Sequence, residues 1–142
     1  RKTFEEFIFE DNDKHEKEEL HVVLSEINSN SKIVLTDKEN LEYKVDIQFD
    51  SRLLEVSEPL VIENEKVLNR LEDEIAAKLK SDLEQLVEKL KELNVDPIGF
   101  GNKYNQTTRN QELTEEQWRE MYPSITTDFS VSVNIIRYGL SE

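Results

Sequence analysis

The sequence predicts an α+β fold in which an antiparallel β-sheet is covered by one long amphipathic helix, with a second short helix before the final strand. Three patterns carry this prediction. Residues 41–49 alternate apolar and polar side chains, leucines recur every three or four residues over 64–93, and residues 129–136 alternate again. Period-two alternation is typical of a strand with one face in a core, whereas spacings of three and four are typical of an amphipathic helix.

The N-terminal half is predicted to be rich in strands. Apolar residues within 1–9 indicate a first strand, and a second strand follows a charge-dense segment. Asparagine and serine residues at 28–31 predict a turn or bulge that interrupts the second strand before it resumes at 33–35. Residues 37–40 then predict a hairpin connection into the alternating strand.

The leucine stripe of the long helix is expected to pack on the sheet, because an antiparallel sheet face needs a cover; a dimer seam is the alternative. The helix is expected to end before Pro97. Thr114 and Gln117 have capping-box spacing, which predicts the start of the short helix, and Pro123 is expected to end it. The helical positions expected to be largely buried are Leu71, Ile75, Leu79, Leu83, Leu86 and Leu90.

The connection between the helices is predicted to contain a tight turn and an exposed loop. Two of the three glycines of the chain, Gly99 and Gly101, flank Phe100. Glycine permits positive φ, so we expect a sharp reversal there, with the Phe100 ring inserted near Trp118 or the final strand. Residues 102–111 have few apolar anchors and are expected to form a mobile, exposed loop.

Composition disfavours several classes of function. The net charge of -14 repels phosphate backbones, which argues against nucleic acid, and disfavours anionic headgroups. Cysteine is absent, which excludes thiolate chemistry in this chain, and no apolar run approaches the length of a membrane span. Residues 10–19 are expected to form a charged loop without a metal, because Glu16 and Val22 stand where a calcium loop needs glycine and glutamate. No catalytic set or cofactor motif is apparent.

The order of elements after the long helix resembles the Ger(x)C family of spore germination proteins. The resemblance covers about residues 20–142 and lies in a D-x-x-G-F-G segment, a tryptophan on the short helix, an aromatic-proline pair and an alternating final strand. The residues expected to act in structure or partner contact are Asp96, Pro97, Gly99, Phe100, Gly101, Lys103, Tyr104, Arg109, Trp118, Tyr122 and Pro123.

The resemblance implies a non-catalytic C-terminal domain of a lipid-anchored germinant receptor subunit, which contributes to nutrient-triggered germination through assembly of the receptor. It implies integral-membrane A and B subunits as partners, and a position on the outer face of the spore inner membrane. Residues 1–142 are accordingly expected to be one domain of a larger lipoprotein, with the lipid anchor upstream. A small-ligand or cation-binding extracytoplasmic module is the alternative function.

Overall fold

The predicted α+β class is confirmed by a four-stranded sheet and three helices within the residues that the structure describes. The computed structural model describes residues 3–10, 19–57, 64–108 and 112–136. The strands are β1 (Thr3–Glu10), β2 (Glu19–Asp37), β3 (Glu42–Val56) and β4 (Thr126–Ile136), and the sheet order is β1-β2-β3-β4. The helices are α1 (Glu65–Glu92), α2 (Phe100–Thr107) and α3 (Glu115–Met121), and a 3₁₀ turn (Tyr122–Ser124) follows α3.

The second strand is longer and more regular than the sequence predicts. The expected interruption at 28–31 is wrong, because β2 runs without a break from Glu19 to Asp37. Pairing overrides the local turn preference of asparagine and serine here, since the strand propensity of a residue depends on its cross-strand neighbours. The predicted first strand is confirmed, and β1 pairs antiparallel with β2 with a register irregularity between Phe4 and Phe7.

The hairpin between β2 and β3 is held by the side chain of Asp37. Its carboxylate accepts hydrogen bonds from the backbone N–H groups of Glu39 and Asn40 and from the Asn40 side chain. The Asn40 side-chain bond is the main reason why the pKa of Asp37 lies below its usual range. The turn ends at Leu41, whose φ of 55° is left-handed and strained for a residue with a Cβ. The buried Leu41 side chain helps to hold that conformation.

The described residues divide into two compact units. The first unit comprises residues 1–30, 48–78 and 131–142. In its described part, the N-terminal half of α1 and the strands β2, β3 and β4 each contribute buried apolar side chains. The Glu72 carboxylate on α1 also accepts a hydrogen bond from the N–H of Ile135. The buried apolar side chains of this unit are Val22, Leu24, Leu53, Val67, Leu68, Leu71, Ile75 and Ile135.

The second unit comprises residues 31–47 and 79–130. The buried side chains of residues 41–45 belong to the same core as Val87 in the C-terminal half of α1. Side chains of α2 and of the 3₁₀ turn complete this core. The buried members of this core are Leu41, Tyr43, Val45, Val87, Phe100, Tyr104, Tyr122, Ile125 and Phe129. A part of α1 therefore contributes to the core of each unit, as the predicted cover of the sheet requires.

The leucine stripe is only partly buried. Leu71 and Ile75 are buried as predicted, and Leu79, Leu83 and Leu90 are half-buried. The expected burial of Leu86 is wrong, because its side chain is 47% exposed and the neighbouring Val87 enters the core instead. Adjacent helix positions lie about 100° apart around the axis, so only one of the two can face this core.

The long helix ends by a mechanism other than its proline. Asn94 adopts a left-handed φ of 52°, the N–H of Val95 bonds the Leu90 carbonyl and the N–H of Asn94 bonds the Lys91 carbonyl. This pair of bonds is a Schellman motif, which satisfies carbonyls at the helix end. Pro97 follows the helix as predicted but does not end it.

The segment after Gly99 corrects the predicted mobile loop. Its first residues form α2, on which Tyr104 is buried, while 109–111 lie outside the described residues. The capping box that opens α3 is confirmed by both hydrogen bonds between Thr114 and Gln117. Across the described part of the chain, no helix is long and apolar enough to cross a membrane.

Two leucines of α1 provide a matched test of this packing. Leu71→Ala removes a side chain that is 0% exposed and should lower the free energy of unfolding by about 2–5 kcal/mol. Leu86→Ala makes the same change at an exposed position and should alter it by less than about 0.5 kcal/mol. Denaturant titration of both variants measures the difference. Equal losses would show that α1 is packed through the uninterrupted leucine stripe.

Candidate functional site

Four of the residues singled out in the sequence meet around the carboxylate of Asp96, all within the second unit. One carboxylate oxygen, Oδ1, accepts the N–H groups of Gly99 and Phe100 at 3.0 Å each. The other, Oδ2, accepts the N–H of Gly101 at 2.8 Å and the indole Nε1–H of Trp118 at 3.2 Å. We name Asp96, Gly99, Phe100, Gly101 and Trp118 the Asp96 cluster.

The carboxylate of Asp96 thereby takes the place of a helix cap. The first N–H groups of any α-helix lack partners within the helix, and a negative charge there is favourable because of the helix dipole. Gly99 precedes α2 and has no capping side chain of its own. Asp96, three residues earlier, supplies the acceptors, and its bond to Trp118 joins the start of α2 to α3.

Glycine is required at each of the two glycine positions of the cluster for a different physical reason. Gly99 has φ of 93°, a conformation that an L side chain rarely adopts. Gly101 lies within α2, where a Cβ would come within 2.8 Å of the Trp118 Nε1 atom. Gly99 therefore allows the turn into α2, and Gly101 allows the indole to approach the helix closely enough to reach Asp96.

Phe100 is the apolar anchor of the cluster, and the expectation that its ring enters the core is confirmed. Its side chain is 0% exposed and belongs to the same core as Phe129 of the final strand. Its ring packs edge-on against Tyr43 with centroids 4.9 Å apart. The Tyr43 hydroxyl donates to the Phe100 carbonyl at 2.9 Å. Tyr43, which the sequence did not single out, therefore ties β3 to the start of α2.

Three aromatic rings form a row beside the cluster. The Trp118 ring centroid lies 6.2 Å from that of Tyr104 and 5.7 Å from that of Tyr122. Burial raises the pKa of Tyr122 to about 12, and the nearby Asp96 charge adds to this shift. Burial also raises the pKa of Tyr43 above its usual range, so both phenols are neutral at physiological pH. Within the described part of the chain, the buried Tyr122 hydroxyl has no hydrogen-bond partner.

The remaining predicted residues lie around this centre in different environments. Pro97 and Pro123 are exposed, and Pro123 is in the 3₁₀ turn after α3. Lys103 is half-buried on α2. Tyr104 is buried and is not free to contact a partner, which corrects the expectation that residues 102–111 are exposed. Arg109 lies outside the described residues.

Two polar residues near the end of α1 support the same region and were missed. The Asn94 side chain donates to the Arg119 carbonyl at 3.1 Å. The Lys91 ammonium donates to the Ile125 carbonyl at 2.7 Å and pairs with Glu88 at 3.1 Å. Asparagine just past the last helical leucine is a recognisable C-terminal signal. Nothing in the pattern of charged residues distinguishes Lys91 from its exposed neighbours.

The arrangement leaves Asp96 little capacity for chemistry. An ionised carboxylate has about four acceptor positions on its two oxygens, and four N–H donors of the domain occupy them. A general base or a metal ligand needs a free lone pair directed at its target. The geometry therefore supports a structural role for the cluster.

An isosteric substitution tests this role. In Asp96→Asn, the single amide oxygen can still accept hydrogen bonds from two N–H groups. The amide NH₂ group, however, faces the other two N–H groups and cannot accept from them. Losing bonds to a charged acceptor should cost about 1.5–3 kcal/mol of unfolding free energy. Asp128→Asn, at an exposed position of β4, should change it by less than about 0.5 kcal/mol. If denaturant titration finds both variants as stable as the parent, the four bonds do not hold the fold.

A second matched pair concerns two buried phenols. Tyr43→Phe removes the donor to the Phe100 carbonyl and should cost about 0.5–1.5 kcal/mol. Tyr122→Phe removes a hydroxyl without a partner among the described residues and should be neutral or stabilising. Thermal melting of both variants distinguishes them. A larger loss for Tyr122→Phe would reveal a partner for its hydroxyl.

Comparison with known proteins agrees with this architecture. No curated protein matches the chain. A crystal structure described as that of the GerBC protein matches with a TM-score of 0.60 and 18% sequence identity, and the match covers 94% of this chain. The match covers 42% of that structure, so this chain corresponds to less than half of it. At this identity the likeness shows a shared fold.

A family model provides the stronger evidence. The model described as "Spore germination B3/ GerAC like, C-terminal" matches residues 1–139, which is nearly the whole chain. The matched range includes the D-x-x-G-F-G segment, the tryptophan helix and the final strand, and the match confirms the resemblance. The chain therefore belongs to the spore germination B3/GerAC-like family, in the region that the C-terminal model of that family describes.

Proposed function

We propose that this chain is a non-catalytic domain of a germinant receptor C subunit and acts in nutrient-triggered germination through receptor assembly. Family membership supports the assignment to a germinant receptor C subunit. The observation that carries the non-catalytic role is the saturation of the Asp96 carboxylate by four donors of its own domain. The most distinctive polar residue of the family segment is thus used to build the fold.

The partners follow from the same proposal. Membership of the family implies a receptor complex with other subunits and a membrane location associated with the spore. We assign the partners as the integral-membrane A and B subunits, and the location as the outer face of the inner membrane. A lipid anchor outside this chain would provide the attachment. With a net charge of -14, direct docking on anionic headgroups is disfavoured, which supports protein contacts instead.

The cation-binding alternative has no comparable support. Among the described residues, no three histidine, aspartate or glutamate side chains are grouped so that they could hold a metal ion. Most of the charged segment at 10–19 lies outside those residues. A saturable rise in melting temperature with calcium, absent in sodium at equal ionic strength, would favour this alternative.

Assembly is tested with the complete C subunit in spores. We expect the A and B subunits to co-purify with the tagged protein, and to be lost when the region of residues 1–142 is deleted. The Leu86→Ala protein is the control, because this exposed position lies outside β4 and the fold is expected to be intact. Immunoblotting of the membrane fraction verifies that the deleted form is still present there. Undiminished recovery of both subunits and normal nutrient-triggered germination after the deletion would contradict the proposal.

A further inference from the structure

One edge of the sheet lacks a partner strand within the described part of the chain. The sheet order places β4 beside β3 on one side, with no described strand on its other side. A strand at such an edge presents a row of N–H and C=O groups that are not used by the sheet. These groups form a template on which another extended segment can pair.

The outward-facing groups of β4 are identified independently in each unit. In the second unit, the N–H of Thr126 donates to the carbonyl of Leu41, the residue just before β3, so the N–H of the next residue faces the outer edge. In the first unit, the N–H of Ile135 bonds the Glu72 side chain of α1. Because backbone groups alternate in direction along a strand, both observations give the same set. The outward-facing residues are Thr127, Phe129, Val131, Val133 and Ile135.

The side chains along this edge carry no charge over most of its length. Residues 129–136 contain no Asp, Glu, Lys or Arg, although these four residue types make up 35% of the chain. The exposed side chains of this run are small and neutral: Ser130, Ser132 and Asn134. Proteins ordinarily protect a free edge with charges, prolines or bulges. Asp128 is the one charged residue between Thr127 and Val133, and residues 129–133 of the outer edge contain neither a charge nor a proline.

The opposite edge of the same sheet is formed by β1, whose sequence is richer in charged residues. β1 contains three glutamates among its eight residues, at positions 5, 6 and 10. Its pairing with β2 also has a register irregularity between Phe4 and Phe7. The two edge strands therefore differ in composition, with three charged residues in β1 and one in the longer β4. On β4, Glu72 occupies the N–H of Ile135 and so marks where the open edge stops.

We propose that the outer edge of β4, from Thr127 to Val133, is a docking site at which a different protein chain of the receptor adds an extended segment as a β-strand. The backbone pattern selects an extended occupant, because only a strand matches alternating N–H and C=O groups. The incoming segment is uncharged or basic, since a net charge of -14 disfavours a negative one. A second copy of this chain is disfavoured as the occupant, because pairing of the two edge strands at about 4.8 Å would bring together two chains that each have a net charge of -14.

This proposal rests on the proposed role in receptor assembly and specifies the surface. It is tested by substitution of Val131, whose N–H faces outward and is not needed by the sheet. Val131→Pro removes that donor, and proline is tolerated at edge positions of this kind. Val131→Ala truncates the side chain but keeps the N–H, so it is the matched control. Thermal melting of each variant domain first shows whether it is folded.

We expect Val131→Pro in the complete C subunit to reduce co-purification of the A and B subunits by about tenfold or more, and Val131→Ala to have little effect. Equal recovery with a folded Val131→Pro protein would overturn the proposal. If co-purification of the A and B subunits is nevertheless lost on deletion of the whole domain, the proposed role in receptor assembly would hold. The outer edge of β4 would then not be the site of assembly. A concentration-dependent dimer of the parent domain in sedimentation, abolished by Val131→Pro, would identify a second copy as the occupant and also overturn the proposal.

A second measurement covers the case in which Val131→Pro does not fold. Overlapping synthetic peptides that span the extramembrane segments of the A and B subunits are titrated into the unsubstituted, isotope-labelled domain, if melting shows that it folds alone. Protection of the amides of Val131 and Val133 by one peptide is the expected result. The same peptide should leave the amide of Ser132, which faces β3, unchanged. Absence of such a peptide, or protection confined to other surfaces, would overturn the proposal.

Discussion

The structure of the second unit depends on one carboxylate. Asp96 binds the three N–H groups that begin α2 and the indole N–H of α3, so one side chain caps one helix and fixes a second. Gly99 provides the left-handed turn that directs these N–H groups at the carboxylate, and Gly101 gives the indole room to approach. Phe100, between them, is placed in the core beside Tyr43. Each named residue of the D-x-x-G-F-G segment therefore has a different structural role.

The residues of the Asp96 cluster stabilise the fold, and they differ from the residues that are available to contact a partner. The aromatic and acidic residues that attract attention in the sequence are used internally, through packing of Tyr104, Trp118 and Tyr122 and through the bonds of Asp96. The surface that we propose for a partner lies instead on β4, whose outer edge has no partner strand among the described residues. A backbone edge carries no motif in the sequence, since every residue contributes the same N–H and C=O groups.

Local patterns predicted those parts of the fold that local physics determines. Alternation in β3 and β4, the leucine spacing of α1 and the capping box at Thr114 each reflect a periodicity or a bond between near neighbours. The errors arose where long-range packing decides. The strand continues through 28–31 because it is paired, and α2 forms in a polar segment because Asp96 caps it and Tyr104 is buried.

Of the candidate site, the sequence identified the members but not their connections. Gly99, Phe100 and Trp118 were singled out from the expected glycine turn, and Asp96 by resemblance. The carboxylate-indole bond, however, joins residues 22 positions apart. Tyr43 was overlooked because it reaches Phe100 across 57 positions, and alternation indicates only that its side chain faces a core. Spacing along a chain does not reveal which buried side chain meets which backbone group.

Hydrogen exchange of backbone amides in the isolated domain, provided that it folds alone, and in the assembled receptor distinguishes a structural Asp96 cluster from a partner interface. The amides of Gly99, Phe100 and Gly101 should be protected in both, because the Asp96 carboxylate already holds them. On assembly, protection should be gained along the outward-facing amides of β4. Amides of the G-F-G segment that exchange freely in the isolated domain and become protected only on assembly would contradict the structural role. That outcome would make the Asp96 cluster a part of the partner interface.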